Sequence, residues 1–155
     1  METLFNQIQE WIAEGISWLG GNIDEDYGQL DMLYRDDEDS DTYPLTFPLV
    51  LVDLPEARWD TFGGALGKVQ KGSLTVRVRL ALDCYDDTHY TSTTAGRAEE
   101  RAAMVHELHS LLQGRMPEGG TSPLNRTASR MRTMARGIKV YELEYECHVW
   151  EDATR

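Results

Sequence analysis

The chain has 155 residues, 41% of them hydrophobic and 27% charged, with a formal net charge of −12. That length suits one domain with a sizeable core, and the composition is that of a globular protein rather than a disordered or fibrous one. The charge argues against a generic nucleic-acid binder, whose affinity comes from cationic contact with phosphate, but it leaves room for a wall that surrounds DNA without gripping it.

The opening segment Met1–Trp11 carries acids and no cationic stretch, so it does not read as a secretory leader. No apolar run approaches the roughly 18 residues of a bilayer span. The expectation is an intracellular protein, in which the Asn125-Arg126-Thr127 sequon is chance.

In chain order, Leu4, Phe5, Ile8, Trp11, Ile12, Gly15, Ile16 and Leu19 recur at steps of three and four. This predicts an amphipathic helix with Thr3 near its cap and Gly20-Gly21 as its stop. Residues 22–44 are acidic, with a short strand expected over Leu30–Tyr34 and a solvated loop over about 35–44. Thr46–Pro55 is continuously apolar and reads as a buried strand. Residues 56–65, with Trp59, Phe62 and Gly63-Gly64, suggest a connecting loop or bulged strand, and Gly67–Lys71 a short strand.

The clearest strand is Leu74–Cys84, where Leu74, Val76, Val78, Leu80, Leu82 and Cys84 face one way and Thr75, Arg77, Arg79, Ala81 and Asp83 the other. A second helix follows over about Ala95–Gln113, with Ala98, Arg101, Ala102, Val105, Leu108 and Leu112 inward and Gly114 ending it. Residues 115–136 read mostly as loop, with room for a short helix or strand over Asn125–Thr133. The closing strand Ile138–Trp150 alternates Tyr141, Leu143, Tyr145, Cys147 and Val149 with Glu142, Glu144, Glu146 and His148; Ile138 and Val140 are out of phase, which suggests a bulge near Val140. The order α-β-β-(β)-β-α-β predicts an α+β fold over residues 1–155, with a mainly antiparallel sheet and two amphipathic helices packed on one face.

The residues offer little catalytic machinery. His106 and His109 are spaced i and i+3, not the i and i+4 of a metalloprotease helix, and no third ligand is marked out, so two exposed helix histidines are expected. Asn22, Asp24, Asp26 and Gly28 fail the calcium-loop pattern, because its sixth and twelfth positions hold Tyr27 and Leu33. Gly63-Gly64 and Gly67 are not followed by a phosphate-loop ending. Cys84 and Cys147 read as free thiols at apolar strand positions, although neighbouring strands would permit a disulfide. The reading is no catalytic residue, no metal and no cofactor. The alternative is a small metal-dependent or acid/base enzyme using Asp86, Asp87 and His89, carboxylates beside an imidazole at the end of the best strand.

The most informative feature is segregation of charge. Between Asp24 and Asp41 lie nine acids (Asp24, Glu25, Asp26, Asp31, Asp36, Asp37, Glu38, Asp39, Asp41) against Arg35 alone. Between Gly114 and Lys139 lie Arg115, Arg126, Arg130, Arg132, Arg136 and Lys139 against Glu118 alone. Two solvated loops, or an internal pairing, is the plain account. The alternative is that the basic arm of one copy meets the acidic loop of the next, a heterologous contact that closes into a ring when the rotation permits. Arg77 and Arg79 are expected to pair with Glu142, Glu144 and Glu146 across adjacent strands, or to serve a subunit contact.

Taken together, the opening helix, the strand Phe47-Pro48-Leu49-Val50-Leu51-Val52-Asp53 with Trp59 after it, the Gln70-Lys71-Gly72 turn into Leu74–Cys84, and the helix and Arg-rich loop before Tyr141–Cys147 resemble the tail terminator, or tail-completion, proteins of long-tailed bacteriophages and prophages. The resemblance is architectural and spans about residues 1 to 151; the acidic insert at 36–41 is not required by the family pattern. It implies a non-enzymatic α+β subunit that forms a ring, usually of six, between tail-tube and head-completion proteins, with DNA passing through the lumen. It also implies assembly in the host cytoplasm followed by a place in the virion. A head–tail connector fits the same features, and a non-phage accessory binding module is the remaining alternative. The resemblance carries over no individual functional residue; the segregation of charge makes Asp36, Asp37, Glu38, Asp39 and Asp41, with Arg115, Arg126, Arg130, Arg132 and Arg136, the candidate assembly residues.

Overall fold

The computed structural model describes residues 2–32, 45–62, 67–84, 96–134 and 137–153. The first helix, α1 (Glu2–Gly15), continues into a 3-10 turn at Ser17–Leu19. Leu4, Ile8, Ile12, Ile16 and Leu19 are buried along one stripe, and the three isoleucines are wholly enclosed, worth roughly 1.5–3 kcal/mol each. Gly20 and Gly21 take positive φ and end the segment, a conformation that side-chain-bearing residues adopt only with strain.

Strand β1 (Ile23–Glu25) and a single helical turn, α2 (Gln29–Met32), come next. The strand expected at Leu30–Tyr34 is therefore corrected, because Leu30–Met32 are helical, and the strand of this region lies earlier. The buried Gln29 fixes the turn: its amide donates to the Glu25 carbonyl at 2.7 Å and accepts from the Tyr27 amide at 2.9 Å. Local side-chain hydrogen bonds of this kind can outweigh strand preference in a short segment.

β2 (Leu49–Phe62) and β3 (Val69–Asp83) form a long antiparallel pair whose register shifts between Asp53 and Glu56. The segment after Pro55 is thus strand up to Phe62, and the two pieces expected at Gly67–Lys71 and Leu74–Cys84 are one strand ending at Asp83. Helix α3 (Gly96–Leu112) buries Arg101, Leu108 and Leu112, whereas Ala98 and Ala102 are exposed. Strands β4 (Asn125–Met134) and β5 (Ile138–Asp152) close the chain. The Arg-rich segment 115–136, expected mostly as loop with room for a short helix or strand over Asn125–Thr133, holds the ten-residue strand β4 at that place.

Among the described residues the five strands form one sheet in the order β1-β2-β3-β5-β4, antiparallel except for the β1–β2 pair. The fold is α+β. Leu74, Val76, Val78, Leu80 and Leu82 of β3, with Leu143, Tyr145 and Cys147 of β5, pack against the apolar stripes of α1 and α3 on one face. The two helices approach closely: a Cβ on Gly15 would fall 2.7 Å from the Leu111 side chain.

Ile138 and Val140 do not mark a bulge, since β3 and β5 pair in unbroken register from Val69/Asp152 to Asp83/Ile138. They lie on the other face, where Leu30, Leu49, Leu51, Ala81 and Met134 join them in a second apolar cluster. Alternation with period two sends every out-of-phase residue to the opposite side, and here that side is also buried at one end.

Candidate functional site

Beyond the second cluster, the face of the sheet opposite the helices is polar and tied together by charge. Arg79 donates to Glu142 at 2.9 Å and to Asp26 at 3.1 Å; Arg77 donates to Asp53 at 2.8 Å and lies 3.9 Å from Glu142. Arg130, reaching over from β4, meets Glu142 and Glu144, each at 2.9 Å. Ser73 donates to Glu146 at 2.7 Å. The expected cross-strand pairing of Arg77 and Arg79 is thus present, with Glu142 as its hub. Burial alone would raise the Glu142 carboxyl, but hydrogen bonds from Arg79 and Arg130 and the charge of Arg79 and Arg77 hold it below the usual carboxylate range.

The two outer strands carry charge of opposite sign. On β4, Arg126, Arg130 and Arg132 are all exposed. Arg130 is committed to Glu142 and Glu144, whereas Arg126 and Arg132 take no ion pair or side-chain hydrogen bond among the described residues. Arg115 stands apart from this strand, its guanidinium 4.9 Å from the centre of the Trp11 ring. On the other edge, Asp24 and Glu25 of β1 and Asp31 of α2 are exposed and likewise form no ion pair among the described residues. Beside β1 a shallow groove of about 330 Å³ runs along α1, lined by Glu10, Ala13, Gly21 and Ile23 among others. Asp36, Asp37, Glu38, Asp39, Asp41 and Arg136 lie outside the described residues.

The other candidate sites resolve differently. Asn22 acts as a strut, its amide donating to the carbonyls of Thr46 at 2.8 Å and Pro48 at 2.9 Å. His106 is exposed, as expected, but His109 is half-buried: its Nδ1 shares a 2.8 Å hydrogen bond with the hydroxyl of the enclosed Tyr145. Burial, with the nearby charges of Arg126 and His106, lowers the His109 pKa, and burial raises that of Tyr145. Among the described residues no three His, Cys, Asp or Glu side chains gather as metal ligands. Asp86, Asp87, His89 and Gly63-Gly64 lie outside the described residues.

Cys84 and Cys147 are free. Cys147 pairs across from Leu74, ten residues along β3 from the position of Cys84. At about 3.4 Å per residue that is roughly 34 Å, far beyond disulfide reach.

Sequence reasoning allowed a short helix or strand over Asn125–Thr133 and did not settle between them; the structure makes it the sheet's outer strand β4. Its residues are nearly all exposed, so the hydrophobic alternation that reveals an inner strand is missing; Thr127 and Thr133 were the only β-branched signal.

No protein-family model and no curated protein sequence matches the chain.

Proposed function

We propose that this chain is a non-enzymatic structural protein of a phage or prophage, a tail terminator or head–tail joining subunit that assembles with copies of itself into a ring. The observation that carries this reading is the separation of charge that has no ion-pair partner among the described residues, with Arg126 and Arg132 on β4 at one edge of the sheet and Asp24, Glu25 and Asp31 on β1 and α2 at the other. Opposite patches on different surfaces of one molecule favour a head-to-tail contact, which closes into a ring when successive copies are rotated by the right angle and otherwise extends as a filament. The architectural resemblance supplies the setting: a ring, usually of six, between tail-tube and head-completion proteins, with DNA passing through its lumen. The acids at 36–41 are the proposed lining of that lumen, because like charge keeps the phosphates from sticking. The charge network on the sheet face serves as a stiff frame for the assembly.

Negative-stain images of the concentrated protein at low salt test this. Rings of uniform diameter with an open centre are expected. Particles of monomer or dimer size at every concentration would remove the ring reading.

A further inference from the structure

We infer that copies of this chain join edge to edge, with β4 of one copy adding antiparallel to β1 of the next so that the sheet continues across the contact. The inference rests on the self-assembly proposed above and names the surfaces that perform it.

The topology provides the geometry. β4 runs antiparallel to β5, β5 to β3 and β3 to β2, while β1 runs parallel to β2. β4 and β1 therefore point in opposite directions at opposite edges. Displacing one copy sideways across the sheet, without turning it over, brings β4 alongside β1 in the antiparallel sense, whose hydrogen bonds are the better aligned. Among the described residues neither outer edge is paired with a further strand. On β1 the outward amides are already engaged within the chain, Ile23 donating to the Gly21 carbonyl at 2.9 Å and Glu25 to the Asp24 carboxylate at 2.8 Å, so β4 amides would donate to the outward carbonyls of Ile23 and Glu25. An open ten-residue edge is a ready template for another chain, and natural proteins cover such edges or make use of them.

The side chains provide the match. Asp24 pairs with Leu51 and Arg132 with Val140, and both of those partners belong to the cluster opposite the helices. Asp24 and Arg132 consequently project from the same face and can stand directly across the junction, where opposite charges attract. In that register Met131, 59% exposed, falls on the helix side, next to the groove that Glu10, Ala13 and Ile23 line. A large exposed apolar side chain thus gains a place to be covered.

Charge exchange tests this junction, because neither Asp24 nor Arg132 makes an ion pair within its own chain among the described residues. Arg132→Glu alone and Asp24→Arg alone should each place like charges across the contact and weaken association by about tenfold or more. Mixing the two variants restores opposite charges at every junction, and so does the double variant; both should reassemble. Amides along β4 should gain hydrogen-exchange protection in the assembled wild type. Assembly of Asp24→Arg by itself, at wild-type strength, would mean that the acidic edge is not the partner and overturn the junction while leaving the ring reading intact. A wild-type chain that never associates would overturn both.

Discussion

Arg79 grips Glu142 at 2.9 Å from the neighbouring strand while its other arm holds Asp26 at 3.1 Å, so one guanidinium links β3 to β5 and to the residue just after β1. Glu142 in turn takes Arg130 at 2.9 Å and lies 3.9 Å from Arg77. Both members of the central pair are mostly enclosed, with side-chain exposures of 16% and 12%. Removing one charge leaves its partners poorly compensated, and Glu142→Gln should cost about 2–3 kcal/mol in urea unfolding. Arg130→Ala, at a side chain 54% exposed, should cost less than about 1 kcal/mol. Equal losses in the two variants would contradict the role of Glu142 as hub.

Trp59 lies across Gly72, its register partner, so closely that a Cβ there would fall 2.5 Å from the indole. The ring covers a position on β3 that has no side chain of its own. Gly72→Ala should therefore displace Trp59 and destabilise by about 1–3 kcal/mol, the usual range for overpacking. A shift in tryptophan fluorescence should accompany the loss. Unchanged stability and emission would show that the indole has room to move.

The His109–Tyr145 pair makes stability depend on pH. The folded-state pKa of His109 is lowered, mainly by burial, so the unfolded chain takes up the proton first as pH falls. Stability from this source is complete above about 6.5, the unfolded value, and drains away as pH drops from there toward the folded value. Glu142, also lowered, adds a second loss that begins at the ordinary carboxylate value and continues down toward its depressed folded value. His109→Gln should flatten the fall in Tm between about pH 7 and pH 5 and leave the more acidic loss in place. An identical slope in wild type and variant would contradict this assignment.

The two thiols should differ in reactivity. Cys147 has no exposed surface, and burial pushes its pKa up to about 11, whereas Cys84 is partly exposed. Thiolate is the reacting species, so a disulfide reagent should titrate one thiol in the folded protein and the second only on unfolding. Two equally fast thiols would indicate that the helix layer opens readily over β5.

The inner parts of the fold were legible in the sequence and its edges were not. Leu74–Leu82 and Tyr141–Val149 alternate because each strand has one face against the helices, and the stripe of α1 follows the same logic. Ile138 and Val140 misled because a second buried cluster on the far face carries the same signature as a bulge. β4 stayed undecided between a short helix and a strand because an outer strand buries little, and α2 was hidden because the hydrogen bonds of Gln29, rather than any periodicity, set its turn. The charge separation was visible as composition, but its placement on two opposite edges required the strand order. So did the finding that Arg130 is spent within its own chain.

The central claim is that opposite charges on the two sheet edges bring copies of this chain together. Sedimentation velocity at about 0.01 M and about 1 M ionic strength, where the screening length falls from about 30 Å to about 3 Å, tests it most directly. The account predicts a large, discrete species at low salt that gives way to monomer at high salt. A monomer under both conditions, or an assembly whose size ignores salt, would contradict it.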